Sequence, residues 1–185
     1  MKFSKMAAAV AAIVLGSVSG FSMANDGRSG VIEFSGSIHD APCSIVAGES
    51  GSQSFQLQPI SARDLKDGGK SAPQPFSIKL SGCDLESLKS ATATFDGPNS
   101  ITDGLLALKG SASGASLAIA NQQGVLIKLG TASDAQALAN GSSELRFTAY
   151  LQGDMQPVKG EDPAKPAEIG VGDFDATASF KLAYQ

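Results

Sequence analysis

Short apolar segments with a period of two dominate this sequence, and clusters of Gly, Ser, Asn and Asp separate them. This period predicts strands that place one face on a core and the other in water. The predicted strands are Ile32–Ile38, Ser44–Val46, Ser54–Leu57, Phe76–Leu80, Ala91–Phe95, Leu105–Leu108, Leu117–Ala120, Val125–Leu129, Leu145–Leu151 and Phe174–Tyr184. Turn signals such as Asn140-Gly141 fall between them. Beyond a short helical turn predicted at Ala132–Ala139, no helical period persists, so the predicted fold class is all-β.

The longest alternation runs through the last twelve residues. One predicted face carries Phe174, Ala176, Ala178, Phe180, Leu182 and Tyr184, and the other carries Asp173, Asp175, Thr177, Ser179, Lys181 and Ala183. Such a pattern is typical of a strand with one buried and one solvated face.

A second alternating strand lies near the other end of the chain. Its apolar face carries Ile32, Phe34, Gly36 and Ile38. Gly36 is unusual there, because glycine weakens a strand unless another group must approach closely.

Two stretches are predicted to be irregular. Residues 111–116 are rich in Gly, Ser and Ala and predict a flexible connection, and residues 157–166 combine three prolines with charged side chains. The second stretch predicts an exposed loop before the last strand. Neither marks a domain boundary, because the strands on both sides are needed for one core.

The N-terminus has the pattern of a secretory signal peptide. Lys2 and Lys5 precede the apolar run Met6–Val18, and Ser22-Met23-Ala24 supplies a cleavage site. The run is shorter than the roughly 20 residues that a spanning helix needs, which disfavours a membrane anchor. We therefore expect residues 1–24 to be removed and the mature chain to contain no membrane span.

Charge and cysteine content narrow the function further. Removing two lysines changes the net charge from −4 to −6, and no basic cluster remains, which argues against nucleic acid as a partner. Cys43 and Cys83 predict one disulfide in an exported protein. A zinc site is the alternative, but two thiols and the single histidine, His39, do not complete tetrahedral coordination.

No arrangement of a nucleophile and a base points to catalysis. His39 is the only histidine, and the sequence contains no Gly-x-Ser-x-Gly elbow. The carboxylates are scattered over turns and strand ends, as on a solvated surface. We therefore predict neither an enzyme nor a bound cofactor or metal.

Four segments in order resemble the major-type subunits of chaperone–usher pili, the type 1 fimbrial pilins, along essentially the whole mature chain. They are residues 30–43 (GVIEFSGSIHDAPC), residues 76–84 (FSIKLSGCD), residues 145–150 (LRFTAY) and the C-terminal end. At that end Gly172 is fourteenth from the last residue and Tyr184 is penultimate, with alternating apolar residues between them. The charged, proline-containing loop at 157–166 departs from the family pattern.

The resemblance implies an incomplete immunoglobulin-like sandwich that lacks its last strand. A neighbouring subunit or a chaperone would complete it with a donor strand. Residues 25–40 would form the donor extension and residues 41–185 the pilin domain. The donor side chains would be Ile32, Phe34, Gly36 and Ile38, and the acceptor and chaperone-binding strand would carry Gly172, Phe174, Ala176, Ala178, Phe180, Leu182 and Tyr184.

The resemblance also implies the partners and the location. Identical or related pilins would join head-to-tail after passage through a periplasmic chaperone and an outer-membrane usher, giving a surface fimbria that supports adhesion. A minor adaptor or terminator subunit of the same pilus is the first alternative. A secreted adhesin or lectin-like domain is the second, although family adhesins carry an additional N-terminal receptor domain.

Overall fold

The computed structural model describes residues 31–35, 42–47, 52–86, 88–156 and 165–185. The chain divides into two compact units, Met1–Ile38 and His39–Gln185. In the first unit, residues 31–35 form neither helix nor strand, and the side chains of Ile32 and Phe34 are 77% and 90% exposed. The predicted signal peptide, Gly36 and Ile38 lie outside the described residues.

The second unit consists mainly of strands. In chain order these are β1 (Ser44–Ile45), β2 (Gln74–Cys83), β3 (Ser90–Asp96), β4 (Leu106–Ala107), β5 (Lys109–Gly110), β6 (Ala115–Ala120), β7 (Gln136–Ala137), β8 (Gly141–Gly153), β9 (Met155–Gln156), β10 (Lys165–Pro166), β11 (Phe174–Asp175) and β12 (Ser179–Tyr184). A 3₁₀ segment, Ala62–Gly68, precedes β2 and buries Leu65. The hydroxyl of Ser61 caps this segment by accepting a hydrogen bond from the backbone N–H of Arg63.

Five strands form the larger sheet in the order β1-β2-β8-β6-β4, with every neighbouring pair antiparallel. The pairing of β2 with β8 is the longest, and it places Phe76 opposite Phe147 and Ile78 opposite Leu145. Since side chains alternate along each strand, these residues share the face that packs on the core. The alternating residues Lys79, Glu144 and Arg146 are exposed on the opposite face.

Three strands form a smaller sheet in the order β12-β3-β7. The remaining strands form two short pairs, β9 with β10 and β5 with β11. The main apolar cluster takes Ile78, Leu145 and Phe147 from the larger sheet and Phe95 from the smaller one. The rings of Phe95 and Phe147 meet edge to face at 5.0 Å between centroids, a favoured aromatic geometry. The two sheets therefore enclose the main apolar cluster.

A disulfide joins Cys43, just before β1, to Cys83 at the end of β2. The two Cα atoms are 4.1 Å apart, and both residues are buried in the main cluster. The bond closes a loop of 40 positions. It therefore holds a two-residue edge strand against the sheet, where few ladder hydrogen bonds are available.

Replacing Cys43 with Ser is expected to lower the free energy of unfolding by about 4 kcal/mol, because the unfolded chain regains the freedom of this loop. Urea unfolding of the oxidised protein measures the loss. The double replacement of Cys43 and Cys83 by Ser is the matched control, since it removes the crosslink without leaving a free thiol. An unchanged unfolding midpoint in both variants would contradict a stabilising crosslink.

Two predicted strands do not form as expected. Residues 54–57 form no strand. The predicted strand Val125–Leu129 forms only a single bridge, between Ala120 and Leu126, because Ile127 donates its N–H to Ile119 and Leu129 donates to Gly104. A ladder needs one continuous partner, and this segment has two.

The predicted helical turn at Ala132–Ala139 is also wrong. Ser133 donates its backbone N–H to the carbonyl of Ala93, and Gln136–Ala137 pair with β3 as strand β7. Pairing with an available sheet edge overrides the weak helix propensity of a short segment. Likewise, residues 111–116 are not simply a flexible connection, since β6 begins at Ala115 and Ser113 forms a bridge with Gly170.

Candidate subunit interface

The C-terminal strand β12 lies at the edge of the smaller sheet. It pairs with β3 through a continuous register from Ser179 opposite Asp96 to Tyr184 opposite Ala91. On its other side, no strand within the described ranges pairs with it. An edge of this kind presents backbone N–H and C=O groups that a further strand can pair with.

The predicted alternation holds from Phe174 to Gln185, although the segment forms two strands rather than one. Residues 174–175 (β11) pair with β5, and the chain then changes partners before residues 179–184 (β12) pair with β3. The half-buried residues are Phe174, Ala176, Ala178, Phe180, Leu182 and Tyr184, and the residues between them are exposed. The last four of these apolar residues pack against the main core.

The apolar face of β12 is less covered than the same face of β3. Ala91, Ala93 and Phe95 of β3 are 0%, 0% and 2% exposed. Their direct partners across the ladder are Tyr184, Leu182 and Phe180, and all three are only half-buried. Directly opposite residues of an antiparallel pair point to the same face. The core is therefore closed over β3 and remains partly open along β12.

At Tyr184 the edge of the smaller sheet meets the start of the larger one. The Tyr184 hydroxyl donates a hydrogen bond to the backbone oxygen of Cys43 at 3.4 Å. Burial raises the pKa of Tyr184 above its usual range, so the hydroxyl stays protonated and able to donate. Sequence reasoning did not identify this contact, because nothing in the local pattern links two residues so far apart in the chain.

Further apolar side chains are exposed beside β1, which is itself an edge strand. Ile45 and Val46 are nearly half exposed, and the half-exposed ring of Phe55 lies 5.1 Å from the ring of Phe76. Phe76 packs in turn against the main core. Sequence reasoning assigned these residues to strands and did not anticipate that they would add uncovered apolar surface.

Gly172 occupies a place where a side chain has no room. A Cβ atom there would collide with the Ser111 hydroxyl and would lie 2.8 Å from the backbone nitrogen of Ala112. The same hydroxyl accepts a hydrogen bond from the N–H of Asp173 at 3.0 Å. Gly172 thus allows the chain to approach Ser111 closely just before β11.

A buried polar cluster lies elsewhere in the fold. The carboxylate of Asp154 accepts hydrogen bonds from the hydroxyls of Thr102 at 2.7 Å, Ser100 at 3.4 Å and Ser116. Asp154 and Ser116 are both buried. These hydroxyls satisfy a carboxylate that would otherwise be costly to bury, and they join the loop before β4 to β6 and to the end of β8.

The described ranges contain no group of three or more His, Cys, Asp or Glu side chains that could hold a metal ion. His39 lies outside them. In this same part of the chain, no helix has both the length and the apolar character needed to cross a membrane.

Comparisons of this chain with known proteins agree on one family. The family model described as fimbrial protein matches residues 32–185. The Fimbria A protein of Serratia marcescens is 47% identical over 186 residues, and the major MR/P fimbria protein of Proteus mirabilis is 40% identical over 187 residues. Both alignments cover 100% of this chain and 100% of the relative.

A solved structure shares the fold. The P pilus rod subunit PapA superposes with a TM-score of 0.60 at 27% sequence identity, over 78% of this chain and 100% of PapA. The described strands match the incomplete immunoglobulin-like sandwich that the resemblance implied.

Proposed function

Because this chain belongs to the fimbrial protein family, we propose that it is a structural subunit of a bacterial fimbria whose copies join by donating a strand. The family consists of structural fibre proteins, and the chain is accordingly not an enzyme. In this proposal residues 25–40 form the donor extension, and residues 41–185 form the acceptor domain. The donor side chains are Ile32, Phe34, Gly36 and Ile38.

The difference in burial between β12 and β3 carries the proposal. The half-buried face of Phe180, Leu182 and Tyr184 needs a further strand to complete the core. The edge of β12 that no described strand pairs with offers ladder hydrogen bonds to such a strand. Burying three large apolar donor side chains would stabilise the junction by roughly 5–9 kcal/mol. Each net ladder bond would add about 1 kcal/mol. Gly36 would allow the donor strand to approach closely at a shallow point of the partly open core along β12.

A contact of this kind produces a filament. The donor segment belongs to one copy and the acceptor edge to the next, so the interface is head-to-tail and does not close on itself. Strand donation is a form of β-augmentation, in which main-chain pairing gives affinity and side-chain pockets give specificity. The relatives named as a major fimbria protein and as a rod subunit support a repeated structural subunit rather than a rare one.

The open edge also requires protection before assembly, since an uncovered apolar edge promotes aggregation. We assign that protection to a periplasmic chaperone that covers β12 and recognises the segment from Gly172 to Tyr184. An outer-membrane usher would then exchange the chaperone for the next subunit. The fibre would reach the cell surface by this route and support adhesion there.

Abundance in sheared surface material tests the structural role. A repeated subunit is expected to be the dominant protein in fibres sheared from intact cells, and deleting its gene should remove those fibres. Quantitative mass spectrometry and electron microscopy measure the two effects. A chain present at only a few copies per fibre, with fibres surviving its deletion, would indicate an adaptor or terminator instead.

A further inference from the structure

Asn140 is the last residue of the connection between β7 and β8, and Gly141 is the first residue of β8. Gly141 has φ of +82°, and a Cβ atom placed on it would meet nothing within 4 Å. Asn140 is exposed, and its side-chain oxygen accepts a hydrogen bond from the backbone N–H of Leu85 at 2.9 Å. The turn is therefore open around its backbone while the Asn140 amide carbonyl is held by one donor.

We propose that Asn140 is a site of spontaneous deamidation in the folded protein. The backbone nitrogen of Gly141 loses its proton to base and attacks Cγ of Asn140. The resulting tetrahedral intermediate expels ammonia and closes a succinimide ring. Water then adds to either carbonyl of the ring and opens it to aspartate or isoaspartate. The net change is the replacement of an amide by a carboxylate, with one water consumed and one ammonia released.

Gly141, the residue after Asn140, favours this reaction. Ring closure requires the Gly141 nitrogen to approach Cγ, and glycine has no side chain to obstruct that approach or to restrict the backbone. Gly141 pairs with Cys83 beyond a register shift in β2, at the very end of the β2–β8 ladder. Terminal pairs of a ladder open at little cost in free energy, so the nitrogen becomes available without unfolding the domain.

The Leu85 N–H favours the reaction as well. It donates to the oxygen that gains negative charge when the nitrogen attacks Cγ. A backbone donor placed at a developing oxyanion lowers the barrier to attack at a carbonyl carbon. After reaction an aspartate at this position keeps the same bond, now strengthened by its charge. The surroundings of Asn140 therefore accommodate the transition state and one of the two products.

The other two asparagines in the described part of the chain lack these features. The residue after Asn99 is Ser100, whose backbone N–H, the required nucleophile, already donates to the carbonyl of Leu105 at 2.9 Å. Asn121 is buried, and its amide bonds to Asp134 while its oxygen accepts from the N–H groups of Gln123 and Val125. Asn99 and Asn121 therefore serve as internal controls.

Deamidation would add one negative charge to each converted copy, near Asp84 and Glu86, which follow β2. Isoaspartate would also lengthen the main chain by one methylene at the start of β8, next to the disulfide-bonded Cys83. Neither effect requires an enzyme or a second copy, so the inference does not depend on the proposed function.

Peptide mapping by mass spectrometry tests the proposal. The oxidised mature protein is held folded in warm, mildly alkaline buffer, and amide loss is followed at each asparagine, with isoaspartate detected by enzymatic methylation. Asn140 is expected to convert at least tenfold faster than Asn99 or Asn121, equivalent to a barrier lower by about 1.4 kcal/mol. If Asn140 keeps its amide as long as Asn99 does, or converts only in urea, the proposal is overturned.

Two variants check the mechanism. Asn140→Gln retains Gly141 and the turn, and it should abolish both amide loss and isoaspartate in the peptide around residue 140, because the longer side chain does not form the five-membered ring. Gly141→Ala should slow conversion of Asn140 about tenfold. Since alanine at a positive φ strains the turn, folding of this variant is verified by circular dichroism. Isoaspartate that persists in the peptide around residue 140 of Asn140→Gln would assign the modification to another residue and refute the proposal.

Discussion

Moving residues 25–40 to the C-terminus, as a copy joined to Gln185 through a flexible linker, will raise the unfolding temperature strongly. The comparison is with a chain from which residues 25–40 are simply removed. In the proposed assembly, the copy would supply a strand to the edge of β12 and would cover the apolar faces of Phe180 and Leu182, which are only half-buried in the single chain. With roughly 5–9 kcal/mol from apolar burial, we expect a rise of roughly 10–35 °C. Thermal unfolding and size-exclusion chromatography of the two proteins measure this difference.

A matched control carries the same added segment with aspartate in place of Phe34 in the copy. This version has the same length and linker, but its central apolar side chain is lost. Most of the rise in unfolding temperature should therefore disappear. If the shortened chain already unfolds cooperatively at the temperature of the extended one, the domain is complete without a donor and strand donation is refuted.

Phe34→Asp in the full chain is expected to abolish fibre formation. Phe34 is 90% exposed in the single chain, so the substitution should leave the free energy of unfolding of the acceptor domain unchanged within about 0.5 kcal/mol. In a junction it would remove roughly 2–3 kcal/mol of apolar burial and would place a carboxylate in an apolar pocket, at a cost of several kcal/mol more. Electron microscopy of cells that express only this variant measures the effect.

Ser35→Asp is the control for Phe34→Asp. It adds the same charge one position away, where the alternation directs the side chain to solvent in a paired strand. We expect it to assemble normally. Fibres from Phe34→Asp cells at the yield of the Ser35→Asp cells would show that the partly open core along β12 does not receive Phe34.

The sequence predicted the apolar face from Phe174 to Tyr184 correctly because a period of two reflects burial against one core, whichever strand supplies the pairing. It did not predict the change of partner between β11 and β12, since that change depends on where β5 and β3 end in space. The strand predicted at Val125–Leu129 did not form for a similar reason: its backbone hydrogen bonds are divided between Ile119 and Gly104, which a local pattern does not encode.

The cluster around Asp154 could not be predicted from local pattern either. Its hydroxyls come from residues 38 to 54 positions away in the chain, and each is an ordinary polar residue in its own segment. The only sequence signal is Asp154 itself, a single acidic residue following the mostly apolar end of β8. Side-chain networks of this kind depend on tertiary packing, which periodicity does not encode.

The register of β12 against β3 has a mechanical consequence. Hydrogen bonds of an antiparallel ladder lie perpendicular to the strands. Tension along a fibre built by strand donation would pull β12 along its own axis. The hydrogen bonds that join residues 179–184 of β12 to β3 would then bear the load together in shear. Such a ladder resists force far better than one peeled open a bond at a time, and an attached cell under flow would be held by that resistance.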